Sequence, residues 1–544
     1  MTATIDPPTQ GQFLPREQGF DVTNRDFYEV PIDDSSLAQG WCYTDQLSYR
    51  PGDVIAVHAA GNTGWIDLAV IRDGIRPLVV HELKGVAVIW ASLPADFHAT
   101  GCGWPVAVRW TLPDDIASGF YIVRLSGVDA NGVECHHEHG FVVRSGEGAR
   151  APILLLAATA TWIAYNDWGG TNAYYAPTRP DGLAFGARLT IHRPFARGFV
   201  SLPVGAPRKP HAAVPPLGGI PRYPPIEFAY ARGYSKWYAN AGWASYERHF
   251  GCWAEREGYA VDYATQHDLD ADPALLDGYA CVVVVGHDEY WSAPMRDALD
   301  IYVERGGRFA RFGGNIAWQI RLEDDGTTQI CYKTSAATHD PVAGTAAAAT
   351  LTTVWDAPEL GRPAAASFGV TSSYGIYAGV GGQVARGPAG FTVYRPDHWA
   401  FAGTELGYGD VLGGAARIFG YEVDGLDYMV RDGIPHPTGR DGAPDGVQII
   451  AMSLAANREV VPVRPGAISY YGDTAPFLAQ LRDASADPDR IASAARGSGM
   501  IVHFERGAGE VFCAGSSEWV AGLEAGDRQT EAVTRNVLDR FIAK

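Results

Sequence analysis

From about residue 40 the chain alternates apolar and polar positions in short runs, at 46–49, 54–58, 65–71, 86–90, 104–110, 119–125 and 140–144. A period of two puts successive side chains on opposite faces and predicts half-buried strands. Turn pairs such as Pro51-Gly52, Gly61-Asn62 and Asn131-Gly132 separate the runs. Many short strands at this spacing predict an all-β sandwich over 39–146. Residues 1–38 show no periodicity and read as an N-terminal arm.

The small, polar stretch 145–150 marks a boundary, and the region 147–544 has a different texture. Wholly apolar runs at 153–157 and 281–285 predict strands buried on both faces, and 259–263 and 308–312 add two more. Helical spacing covers 243–257, and 292–305 reads as a helix with Ser292 as N-cap. Strands alternating with helices predict a parallel sheet. The Pro- and Gly-rich stretch 175–235 reads as a long loop with a job as lid or wall, and 340–440 as a β-rich antiparallel insertion. Strand-like runs at 447–454, 500–505 and 510–514 and a helix over 527–543 are read as a return to the α/β pattern.

Charge narrows the partners. Of 544 residues, 43 are Lys or Arg and 62 Asp or Glu, a net charge of −19. Such a chain repels phosphate backbones and anionic lipid, so nucleic acid and membrane surfaces are not expected partners. The mostly apolar stretch 151–165 is too short and too interrupted to span a bilayer. The first residues carry no basic and then apolar leader. The seven Cys are odd in number and form no C-x-x-C, which favours reduced thiols and a cytoplasmic setting. The 15 Trp, 26 Tyr and 21 Phe beside 64 Gly suggest a concave aromatic site.

In an open parallel sheet, ligands bind beyond the carboxyl ends of the strands. The run 153–157 leads to Tyr165-Asn166-Asp167-Trp168-Gly169-Gly170, 281–285 to Gly286-His287-Asp288-Glu289-Tyr290-Trp291, and 308–312 to Gly313-Gly314-Asn315. All three loops are expected at one sheet edge, with Gly opening the backbone. His287 and Glu289, two apart, share a face in extended chain. The 135–139 segment, Cys-His-His-Glu-His, reads as an exposed polar strand end rather than a metal site. Gly515-Ser516-Ser517-Glu518-Trp519 reads as a helix start. No G-x-S-x-G, P-loop, strand-linked G-x-G-x-x-G or H-E-x-x-H occurs.

The segments 164–170, 286–292 and 312–315, supported by 253–259, 353–363 and 420–424, resemble the N,N-dimethylformamidase large (beta) subunit family. The resemblance covers most of 145–544. It implies an amidohydrolase with a mononuclear ferric ion, Fe(III), bound by two tyrosinates and a glutamate and assisted by a histidine, an asparagine and a second glutamate. By motif, Tyr165 matches one tyrosine ligand, Glu289 the carboxylate ligand, His287 the histidine, Asn315 the asparagine and, more loosely, Glu422 the second glutamate. No Tyr stands at 189–194, where the second tyrosine is expected; His192 is taken as the replacing ligand, with Tyr174 as the alternative. Trp162, Trp168 and Trp291 are expected as aromatic walls.

The expected fold is thus an α/β catalytic domain with a mostly parallel sheet in a class I amidotransferase-like layout, an N-terminal β-sandwich and an antiparallel insertion. The expected reaction is cleavage of the C–N bond of a small N-substituted amide. A homo-oligomer and a separate small subunit are the expected protein partners. Two rival readings remain: a glycan-active enzyme with Glu289 and Glu422 as a carboxylate pair, and a non-catalytic binding protein on the same scaffold.

Overall fold

The computed structural model describes residues 13–15, 27–146, 148, 150–176, 182–209, 224–378, 389–458, 474–483 and 487–543. Much of the expected arm, and parts of the 145–150 boundary, the 175–235 loop and the 340–440 insertion, lie outside the described residues.

The first alternating runs build two facing sheets. One carries five strands in the order Ser48–Tyr49, Glu134–Val143, Gly119–Val128, Trp65–Arg72, Leu78–Ala87. The other orders Gly40–Thr44, Val54–Gly61 and Val106–Thr111. Ile55, Val57, Leu68, Val123, Leu125 and Phe141 meet in one core between them. The strand Glu134–Val143 also packs on later parts of the chain. His137 Nε2 lies 3.0 Å from the Phe195 carbonyl oxygen, and the His139 ring stacks on Phe195 at 4.6 Å. Both imidazoles are therefore buried, where an exposed strand end was expected.

The largest sheet overturns the expected fold class. Its order is Val261–Thr265, Ile153–Ala157, Cys281–His287, Arg308–Gly314, Gly509–Cys513, Arg496–Arg506, Gln448–Ala456, Thr371–Ala378, Tyr421–Gly425. The first five strands run parallel. From Gly509–Cys513 onward every pairing is antiparallel. With 33% strand against 23% helix, and further mixed and antiparallel sheets, this is not a mainly parallel class I amidotransferase layout. The reason is local. Only Gly507 and Ala508 separate Arg496–Arg506 from Gly509–Cys513. Two residues close a hairpin, whereas a parallel crossover needs a dozen or more.

Cys281–His287 is buried along its whole length, and its Val run suits a pleat covered on both faces. Ser292 caps the helix Ala293–Glu304 by accepting from Met295 N at 3.2 Å. The helical spacing at 243–257 is realised only over Glu247–Glu257; Trp243 lies ahead of the helix, and its indole donates to Asp73 at 2.7 Å. The described cysteines are all unpaired, and no described helix is long and apolar enough to cross a membrane.

Candidate functional site

The parallel strands Cys281–His287 and Arg308–Gly314 end side by side, with Gly286 opposite Gly313 and His287 opposite Gly314. Gly286 has φ +76°, and a Cβ there would lie 2.4 Å from the Tyr246 Cβ. A Cβ on Gly314 would lie 2.4 Å from Ser517 N and 2.7 Å from the Glu422 carbonyl oxygen. Gly314 thereby lets Tyr421–Gly425, the last strand of the sheet order, cross close over the end of Arg308–Gly314. Asn315 then turns with φ +65°, in the left-handed region that Asn tolerates.

Three side chains meet at this crossing. His287 Nε2 is 2.7 Å from Glu422 Oε2. Asn315 Nδ2 donates to the same carboxylate oxygen at 2.9 Å and lies 3.2 Å from His287 Nε2. On the far side of the ring, His287 Nδ1 is 2.6 Å from the Asn240 carbonyl oxygen and 2.8 Å from the Tyr421 hydroxyl. A carbonyl only accepts, so Nδ1 carries a proton and Nε2 faces Glu422.

Glu289 sits on the other side of His287, its Oε2 3.4 Å from Nε2. Tyr174 donates its hydroxyl to the same Oε2 at 2.6 Å and receives the Tyr290 hydroxyl at 2.9 Å. The Trp318 indole donates to Glu289 Oε1 at 2.6 Å. The Glu289 backbone N–H is held by Thr161 Oγ1 at 3.0 Å. Tyr165 ends the helix Thr159–Tyr165, and its ring centroid lies 4.5 Å from that of Tyr174 and 5.1 Å from that of His287. Trp237 covers both phenols, at 5.7 Å from Tyr165 and 5.4 Å from Tyr174. Lys333 Nζ stands 3.2 Å above the Tyr174 ring, a cation–π contact.

Burial dominates the electrostatics. It pushes the Tyr165 and Tyr174 phenols well above their ordinary 10, and the charge on Glu289 adds to this. Burial also raises the Glu289 carboxyl, with His287 pulling the other way. Burial alone would depress His287, but Glu422 and then Glu289 lift it to about 9. Lys333 is brought down to about 8 by burial, against the attraction of Glu289.

Five of the six site residues named from sequence thus gather here: Tyr165, His287, Glu289, Asn315 and Glu422. His192 does not. Its Nε2 lies 3.1 Å from the Asp45 carbonyl oxygen, and its ring faces Tyr43 in the sandwich at 6.4 Å. Tyr174, the alternative, is the residue brought in. Asn172 does this by accepting from Tyr174 N at 2.9 Å while donating to the Tyr165 carbonyl at 3.0 Å. The expected aromatic walls point elsewhere: Trp162 to Glu247, Trp168 to Trp41 and Trp104, and Trp291 to Asp288 and Phe368. Trp237 and Trp318 take that place, and sequence reading named neither. It also missed Lys333, Tyr421, Asn240 and Thr161. Among the described residues no group of three or more His, Cys, Asp or Glu side chains is arranged to hold a metal ion.

Residues 78–532 match the family described as "N,N-dimethylformamidase beta subunit-like, C-terminal". The chain is 23% identical over 531 residues to the N,N-dimethylformamidase beta subunit of Alcaligenes sp, and 24% identical over 526 residues to that of Paracoccus aminophilus. Each match covers 89% of this chain but 59% of the relative. The chain belongs to the N,N-dimethylformamidase beta subunit-like family.

Proposed function

We propose that the chain hydrolyses the C–N bond of a small N-substituted amide, with Tyr165, Tyr174 and Glu289 holding a single ferric ion. The observation that carries the reading is the meeting of two phenols and a carboxylate with the His287–Asn315–Glu422 cluster in one buried site. The donor set suits the ion: a hard trivalent cation takes oxygen anions. Both phenols are too weakly acidic in this environment to ionise without a strong positive charge beside them. When bound, such an ion polarises a carbonyl and acidifies water.

The chain's own residues supply the rest. Glu422 serves as general base toward the attacking water, steered by the Asn315 amide and by His287. His287, lifted to about 9, is largely cationic at pH 7 and carries a proton to pass to the departing amine. The Asn315 N–H not engaged with Glu422 is available to the developing oxyanion. Trp237 shields the phenol side from bulk water. The glycan reading is less favoured, because the His287 imidazole occupies the space between Glu289 and Glu422 that a sugar ring would need.

The relatives are named as beta subunits, which supports a separate partner subunit for this chain. A homo-oligomer and a cytoplasmic setting belong to the same proposal. Metal analysis and visible absorption of purified protein, with release of amine from N-alkylformamides, test the reading. Amide hydrolysis with bound iron and a phenolate-to-iron charge-transfer band supports it. Active protein with neither iron nor colour overturns the iron site.

A further inference from the structure

The geometry points to Arg311 as the positioning residue that sets the spacing between the two halves of the site. The activity and visible-band readouts of this inference rest on the functional reading above; the crystallographic distances do not. Arg311 lies in the strand Arg308–Gly314, and its side chain is completely buried. Its Nε meets Asp288 Oδ2 at 2.8 Å, and an outer nitrogen donates to the Asp288 carbonyl at 2.9 Å. The other outer nitrogen meets Asp424 Oδ2 at 2.6 Å. Asp288 stands between His287 and Glu289 in the chain, and Asp424 two residues after Glu422. The free oxygen of Asp424 accepts from Ile316 N at 3.0 Å, next to Asn315. One guanidinium therefore ties together the three segments that carry His287, Glu289, Asn315 and Glu422.

No simple stability argument accounts for this arrangement. Two carboxylates and one cation with no solvent contact bear a large desolvation cost, and well-packed apolar groups commonly replace such triads without loss. What apolar groups cannot reproduce is directional spacing. The planar fork fixes two carboxylates and a carbonyl at once, which a lysine ammonium on a flexible stem does not. The remaining Asp288 oxygen is also saturated, by Trp291 Nε1 at 2.7 Å and Gln266 Nε2 at 2.9 Å. The loop is thus fixed from both sides.

The two arms separate in the test. Asp424→Asn and Asp288→Asn keep side-chain shape, but each turns an amide donor toward an existing donor, whichever way the amide is placed. Crystal structures of both variants, with and without iron, are compared with the native protein alongside kcat, KM and the visible band. Asp424→Asn is expected to open the His287–Glu422 contact beyond its native 2.7 Å. It should lower kcat by about 10–100-fold, hold KM within about twofold and leave the band in place. Asp288→Asn is expected to move Glu289 and shift the band. Arg311→Lys should combine both effects; if it does not fold, the two Asn variants carry the test. The inference is overturned if both Asn variants fold with the native His287–Glu422 and Glu289–Tyr174 contacts and native kcat and band. If native protein hydrolyses no amide, the functional reading falls, while the crystallographic distances in the variants still decide the role of Arg311.

Discussion

Glu247 is buried behind the site and sets up a measurable conflict. Its Oε1 accepts from Ala158 N and from the Trp162 indole, both at 3.1 Å, at the start of the helix that ends in Tyr165. Its Oε2 has no hydrogen-bond partner. Burial raises the carboxyl from 4.5 to about 7, the hydrogen bonds working against it and Asp288 adding to it. Because the folded-state value is raised, the folded chain holds the proton more tightly than the unfolded chain does. The favourable contribution is complete below about 4.5 and is lost as pH rises through about 7. Above that, the ionised carboxylate costs about 3 kcal/mol relative to low pH. Glu247→Gln keeps an acceptor for both donors and removes the charge. The unfolding entropy of 544 residues is about 2.1 cal/mol/K per residue, so about 3 kcal/mol corresponds to a rise in Tm of about 2–3 °C. Scanning calorimetry should show that rise at pH 8 and almost none at pH 5. An equal shift at both pH values, or a less stable variant at pH 8, would refute the reasoning.

Glu422→Gln keeps the Asn315 contact but not the base, and kcat for formamide hydrolysis should fall about 10²–10⁴-fold with the fold unchanged by circular dichroism. Tyr174→Phe removes the 2.6 Å bond to Glu289 and one oxygen donor, so bound iron and visible colour should drop together. His192→Ala, whose imidazole faces Asp45 and the sandwich, should change neither, as metal analysis of the two variants side by side would show. Gly286→Ala forces a Cβ to 2.4 Å from Tyr246 at a φ of +76°, and thermal unfolding should report a loss of about 2–4 kcal/mol.

The site edge was legible because a short range of sequence determines it. Apolar runs buried on both faces must leave the sheet through a loop; Gly313 and Gly314 sit where backbones pack too closely for a side chain, and Gly286 sits where the Tyr246 side chain does. The sheet as a whole was misread because apolar composition does not distinguish parallel from antiparallel strands. The two-residue link at 507–508 does distinguish them, and that spacing was available in the sequence. Side-chain direction was beyond reach. Trp162 and Trp291 border the right segments, yet their indoles are drawn away by Glu247 and Asp288, and both carboxylates take part in contacts that form only in the folded chain.

Lys333 lay further out of reach. Its chain neighbours carry no chemical motif, and its left-handed φ of +53° is a property of the fold rather than of its residue type. The second phenol is a different case. The strand Arg188–Thr190 pairs with Thr328–Ile330, and the turn that follows points His192 toward the sandwich, away from Tyr165 and Glu289. Asn172, two residues after a Gly pair, is a strong former of side-chain-capped turns. Such a turn reverses the chain within the few residues needed to bring Tyr174 back beside Tyr165, as the bonds from Asn172 to Tyr174 N and to the Tyr165 carbonyl do. The local turn chemistry of 169–174 therefore suffices to set Tyr174 beside Tyr165, without the fold of the rest of the chain.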